Sequence, residues 1–156
     1  MALLQRYVRQ PLVVNQLEFS LTQPALVTEG FTANQTGAGA NSALASGLLD
    51  YCRLNDILVQ AWSPTGGGKL FKPASDASSS EPHPAAEAVT SLAKQKNTTS
   101  DAILLAWILR HPAGIQPVLG TTNVDRILAS VPADDVSLSR EEWTTLLVAA
   151  RGKKMP

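Results

Sequence analysis

ILVQAWSPTGGGKL, residues 57–70, sets the pattern from which the rest of the chain is read. Residues 57–64 read as a strand, an apolar run closed by Ser-Pro, and TGGGKL at 65–70 follows as a glycine-rich turn. Upstream lies a helix over 44–55, LASGLLDYCRLN. Before that, PLVVNQLEF at 11–19 alternates as a strand, with Val13, Asn15, Leu17 and Phe19 facing one way and Val14, Gln16 and Glu18 the other. Apolar spacing in ALLQRYVR predicts a helix over 2–9, ended by Pro11. Residues 20–43 and 72–84 are rich in turn-forming and small polar residues and are expected to be surface loops of low order.

Downstream, Pro84 suits the first turn of a helix over 84–96. Thr98 and Asp101 have capping-box spacing for a helix over 101–110, whose apolar residues cover more than one face and which His111–Pro112 stops. IQPVLG at 115–120 is a third strand. A helix over 122–131 follows, with Thr122 and Asp125 at the same spacing, and the last helix, 139–151, has Ser139 and Glu142. Strand and helix alternate, and the strands are apolar enough to want cover on both faces, which makes the class α/β.

The chain has 156 residues, 44% hydrophobic and 17% charged, with 13 basic and 13 acidic side chains. A formal charge of zero argues against nucleic acid or an anionic membrane surface as the main partner. A single cysteine, Cys52, excludes an intrachain disulfide and a multi-cysteine zinc site, and reads as a small core residue. No apolar run approaches the roughly 20 residues of a membrane span. MALLQRYVRQP is too broken for a signal peptide, so a cytoplasmic location is expected.

Polar groups gather at one end of the strands: Gln16 and Glu18, then Trp62 and Ser63, then Gly120 and Thr121. In parallel α/β folds ligands bind there. The pattern suits one shared site and equally suits ordinary strand-end residues. TGGGKL is not a Walker loop, because Ser63 stands where glycine is required and Leu70 follows Lys69. Its glycines let backbone N–H groups approach an anion, or simply make a flexible turn. In GTTNVDR, 120–126, a strand ends in glycine and a helix begins at about Thr122, with Arg126 one turn in. That arrangement suits phosphate, or plain capping beside a surface arginine. His83 and His111 have no partner at metal-ligand spacing, and no Ser-His-Asp or Cys-His set is evident. Trp107 and Trp143 occupy apolar helical positions and read as core.

Taken in order, NQLEFSL, LLDYCRLNDILVQAWSPTGGGKLF, SDAILLAWILRHP, PVLGTTNVDRI and LSREEWTTLLVAARG resemble the later segments of an aldo-keto reductase over nearly the whole chain. The family fold is a (β/α)8 TIM barrel that binds NADPH across the C-terminal ends of its strands. The resemblance implies that residues 1–156 are a partial barrel, about the last three βα units plus a C-terminal helix. Gln16 matches the glutamine that hydrogen-bonds the nicotinamide carboxamide. Trp62 matches the aromatic, usually Tyr, on which the nicotinamide stacks, and keeps the flat face that stacking needs. Ser63, Pro64, Thr65, Gly66, Gly67, Gly68, Lys69 and Leu70 match the loop along the pyrophosphate. Gly120, Thr121, Thr122 and Asn123 match the loop at the adenosine phosphate end, and Arg126 the arginine that pairs with the 2′-phosphate.

Gly120–Thr121 replaces the Lys-Ser of many members, and Ala129–Ser130 replaces their Glu-Asn, so preference for NADPH rests mainly on Arg126 and NAD stays open. The family's catalytic Asp, Tyr, Lys and His come from earlier elements. Neither Tyr7 nor Tyr51 matches the catalytic Tyr position, so the chain is expected to hold part of a cofactor site and no catalytic residue. Its substrate as part of a complete enzyme is a small carbonyl compound; the alternative is a non-catalytic cofactor-binding or interaction protein. Three strands of a barrel leave two open edges and a bare inner face, which favours marginal stability and self-association.

Overall fold

A computed structural model describes residues 1–32, 47–71, 83–152 and 154. Among these, three strands, β1 (Val14–Glu18), β2 (Leu58–Trp62) and β3 (Gln116–Val118), form a sheet in the order β1-β2-β3. Both pairings are parallel, with Gln16 beside Gln60, Glu18 beside Trp62, Gln60 beside Gln116 and Trp62 beside Val118. Parallel neighbours need crossovers, and helices supply them. α1 (Ala2–Gln5) precedes β1, and α2 (Ala25–Thr32) and α3 (Leu48–Leu54) lie between β1 and β2. α4 (Pro84–Gln95) and α5 (Ser100–Leu109) lie between β2 and β3, and α6 (Val124–Ser130) and α7 (Arg140–Arg151) follow. Tight 3-10 turns occupy Gly66–Phe71 and Val131–Asp135.

The two sheet faces differ sharply. Val59, Ala61 and the following Phe19 are buried on the helix side, with Ile57 and Ile115 at the strand entries. On the other face Val14, Leu58 and Trp62 are 40%, 39% and 44% exposed. The alternation expected for 11–19 therefore appears, but the Val14, Gln16, Glu18 face has no cover among the described residues.

α5 is the centre of the core: every residue from Ala102 to Ile108 is buried, which accounts for apolar residues on all its sides. The Trp107 ring lies 5.3 Å from Phe19 and stacks on Trp143 at 5.1 Å and 6°. Each indole N–H donates to the other residue's carbonyl, Trp107 Nε1 to Trp143 O at 3.2 Å and Trp143 Nε1 to Trp107 O at 2.8 Å. Burying indoles without these bonds would leave two unpaired donors. Cys52 is fully buried, as expected of a core residue, with the Asn15 amide donating to its sulfur at 3.7 Å.

Several boundaries differ from the sequence reading. The first helix stops at Gln5, because the Gln5 amide donates to Val8 O and Gln10 O and accepts from Leu12 N, folding 6–12 into a turn. Leu3 and Tyr7, 71% and 80% exposed, find no surface to pack on among the described residues. The expected loop 20–43 contains α2 after Pro24, anchored by buried Leu26 and Val27; its remainder, 33–43, lies outside the described residues. So do 44–46 of the expected helix 44–55 and 72–82 of the expected loop 72–84. His83 is not a loop residue: its Nδ1 accepts from Ala85 N at 3.2 Å and caps α4.

The cap of α5 is Thr99 rather than Thr98. Its Oγ1 accepts from Ala102 N at 3.0 Å and donates to Ala129 O, while the buried Thr98 hydroxyl has no partner. α6 starts two residues later than read, capped by Asn123, whose Oδ1 accepts from Arg126 N at 3.1 Å. A free helix N-terminus at Thr122 is therefore not formed, and Asn123 already fills one of the orphan donors.

The edges are unequal. Val13 O accepts from Leu58 N and Phe19 N donates to Trp62 O, so Val14, Gln16 and Glu18 turn their backbone groups to the open side of β1. On β3 the same register turns Pro117 outward. Its missing N–H costs the sheet nothing there and blunts that edge, so β1 and β3 are both unpaired edges among the described residues, as expected, but only β1 offers a full row of backbone groups.

The capping box at α7 is complete: Glu142 N donates to Ser139 Oγ at 3.1 Å and Ser139 N to the Glu142 carboxylate at 2.7 Å. That backbone N–H, with Lys96 Nζ at 3.0 Å, holds the Glu142 carboxyl below its ordinary value, against a smaller opposing effect of burial. A depressed acid stabilises the fold above its unfolded pKa and loses that contribution as pH falls. Glu142→Gln is expected to lower the urea midpoint at neutral pH, with the gap from the parent closing once pH falls below the ordinary Glu range of about 4.3.

Candidate functional site

The chain leaving β2 coils tightly. Ser63, Gly66, Gly67 and Gly68 all have positive φ, at 54°, 62°, 64° and 75°. Gly66 N donates to Ser63 O at 2.8 Å and Gly68 N to Thr65 O at 3.2 Å. Leu70 is fully buried and pins the far end. TGGGKL is thus an ordered, anchored coil and not a slack turn. Gly66 is required for space as well as for φ, since a Cβ there would lie 2.5 Å from Thr22 Oγ1.

This coil meets the segment leaving β3. Ser63, Pro64, Thr65 and Gly67 line one side of a cleft of about 90 Å³, and Leu119, Gly120, Thr121 and Arg126 line another. Asp101, in the first turn of α5, and Ser130, at the end of α6, complete it. Thr99 joins α5 to α6 through Ala129 O, and Ser130 Oγ donates to Arg126 O at 2.8 Å, so the walls are tied together. Arg126 makes no ion pair among the described residues and shares the cleft with the Asp101 carboxylate. A guanidinium, hydroxyls and glycine backbone suit a phosphate oxyanion; Asp101 opposes one.

The remaining residues of the expected site lie elsewhere. Gln16 sits on the uncovered sheet face in an amide ladder, Gln16 Nε2 donating to Gln60 Oε1 at 3.2 Å and Gln60 Nε2 to Gln116 Oε1 at 2.8 Å. Trp62 is on the same face, diagonally one register step beyond Gln16. Thr122, Asn123 and Lys69 are exposed, while Gly66 and Leu70 are buried. Sequence reasoning missed Gln60, Gln116 and Asp101, and noted Ser130 only as a departure from the family's Glu-Asn. Alternation within β2 and β3 was the available signal for the glutamines; Asp101 carried only a capping signal.

Tyr7 is 80% exposed and Tyr51 is half-buried in α3. Among the described residues no three His, Cys, Asp or Glu side chains are grouped to hold a metal. Nor is any helix among them long and apolar enough to cross a membrane.

Comparison with known proteins agrees on one family. A model of the aldo/keto reductase family matches residues 5–149. The chain is 35% identical over 154 residues to 6-dehydroglucose reductase of Agrobacterium fabrum, covering 99% of this chain and 44% of that protein. It is 28% identical to the oxidoreductase YdhF of Escherichia coli, covering 99% and 45%. It thus spans less than half the length of the curated relatives it matches. Among solved structures, the thermostable aldo-keto reductase Tm1743 in complex with the inhibitor epalrestat superposes with a TM-score of 0.64 at 19% identity, over 93% of this chain and 42% of that one. The Klebsiella pneumoniae aldo/keto reductase in complex with NADP and acetate gives 0.57 at 21%, over 86% and 38%.

Gly66→Ala is expected to destabilise the fold by about 1–3 kcal/mol in urea denaturation, from positive φ and the Thr22 clash together. Adding Thr22→Ala relieves the clash alone, so it should recover only part of the loss.

Proposed function

This chain belongs to the aldo/keto reductase family, and we propose that it carries the cofactor-binding part of an NADPH-dependent oxidoreductase that reduces small carbonyl compounds. The observation that carries this reading is the convergence of Ser63, Pro64, Thr65 and Gly67 with Gly120, Thr121 and Arg126 on one cleft at the C-terminal ends of β2 and β3. The cleft is of a size for a phosphate group and not for a whole dinucleotide. NADPH, when bound, supplies a hydride. Arg126 and the Thr121 hydroxyl would hold the adenosine phosphate end, and the coil from Ser63 to Leu70 would follow the pyrophosphate. Trp62 would support the nicotinamide ring, with Gln16 turned from its bond to Gln60 to meet the carboxamide. Asp101 weakens the claim of Arg126 on a 2′-phosphate, so discrimination between NADPH and NADH is modest in this reading. A cytoplasmic location goes with it, since the free, buried Cys52 needs no oxidising compartment.

In this reading the proton donor for the carbonyl oxygen, a Tyr in the family, lies outside these residues, and the chain alone binds cofactor without turnover. The uncovered sheet face and the open edge of β1 favour a second, compatible reading: an interaction protein that associates with a further copy along β1. A neutral chain has no net repulsion to oppose this.

NADPH is expected to quench Trp62 fluorescence saturably in the parent chain, and the saturable part should vanish in Trp62→Phe. Arg126→Gln should weaken binding about tenfold or more, the range for a charge-assisted hydrogen bond, and Asp101→Asn should strengthen it. Equal quenching in Trp62→Phe defeats the assignment. With 4-nitrobenzaldehyde and NADPH the chain alone should stay well below roughly 1 turnover per second. Sedimentation equilibrium should show a dimer that Val14→Lys, a charge on the open edge, converts to monomer.

A further inference from the structure

We infer that a second cavity, between the end of α5 and the start of α7, is a binding site for a small planar carboxylate. It lies before β3, at the opposite end of the strands from the cleft. Its volume is about 280 Å³, and Arg110, His111, Pro112, Arg140 and Trp143 line it. Cavities of about 150 Å³ already hold benzene, so a ring bearing a carboxylate has room.

Its chemistry is one-sided. Two guanidinium groups line it, and neither makes an ion pair among the described residues. Arg110 is oriented by its Nε, which donates to Leu138 O at 2.9 Å, leaving its two terminal nitrogens for a carboxylate fork. Among the described residues no acidic side chain lines the cavity, although Glu141, next in sequence to Arg140, feels its charge from outside the lining. Glu142 bonds Lys96 and the Ser139 N–H, and Glu141 accepts from Ser139 Oγ at 2.9 Å. The lining itself is therefore positive, with the Glu141 and Glu142 carboxylates just outside it.

The apolar wall is rigid. Trp143 is held by its stack on Trp107 and by its N–H bond to Trp107 O, so it presents a fixed ring surface with its donor already satisfied. The His111 ring sits 6.2 Å from it. His111 Nδ1 accepts from Ala113 N at 3.2 Å, which leaves Nε2 as the donor. Burial, and then the charge of Arg53 on α3, hold His111 below its ordinary pKa, the condition that a bound anion would relieve.

Benzoate and the neutral benzyl alcohol, titrated into the full chain and followed by NMR, test the site independently of NADPH binding. Benzoate should move the Trp143 indole N–H and His111 ring signals saturably in the millimolar range or tighter and raise the His111 pKa. Benzyl alcohol should do neither. Arg110→Gln and Arg140→Gln should each weaken benzoate about tenfold, the range for a charge-assisted bond, with an unchanged Trp107 indole signal showing that the fold is intact. An unsaturable response, equal binding of the alcohol, or a His111 pKa that does not rise overturns the inference. If a variant fails to fold, the parent's His111 pKa still decides.

Discussion

Trp107 is the contact on which the other parts depend. Its ring lies between Phe19, at the end of β1, and Trp143 on α7, so one side chain joins the first strand, the buried helix and the last helix. The paired indole-to-carbonyl bonds tie α7 to α5, while α7 packs chiefly against α4. Once α5 is placed, Asp101 and Thr99 at its start and Arg110 at its end are placed too. Each of the two cavities therefore takes part of its wall from one end of this buried helix, Asp101 in the cleft and Arg110 in the second cavity.

The same constraint explains the uneven sheet. α5 and its neighbours cover one face, while the other presents Val14, the three-glutamine ladder and Trp62. The ladder keeps polar groups paired without cover, and Trp62 and Leu58 remain as exposed apolar surface on either side of it. In a closed barrel such a face would be interior. Here it is open among the described residues, and the proposed nicotinamide contact and the proposed dimer both draw on it.

Legibility followed the range of the forces involved. The Ser139–Glu142 box was readable because both bonds close within four residues. Two equally plausible caps misled: Thr98 competes with Thr99 and Thr122 with Asn123, and local spacing does not separate them. Thr99 prevails because its hydroxyl also reaches Ala129 on α6, thirty residues away. The α2 helix was hidden in a polar stretch because its helical state depends on burying Leu26 and Val27 against the core. Gln5 shortens the first helix through bonds to a turn that periodicity does not reveal.

By itself the sequence determined the alternation of strand and helix, the apolar identity of α5, the presence of a glycine-rich segment after β2 and the family, because these depend on residue type and near spacing. The tertiary structure alone decided which expected site residues share a cleft, that Asp101 lines the same cleft as Arg126, and that Pro117 blunts one edge and not the other. Those depend on which way a backbone group or side chain points once the strands are in register and α5 is locked by its tryptophans. Direction in space is a property of the packed chain and is absent from any stretch of it read alone.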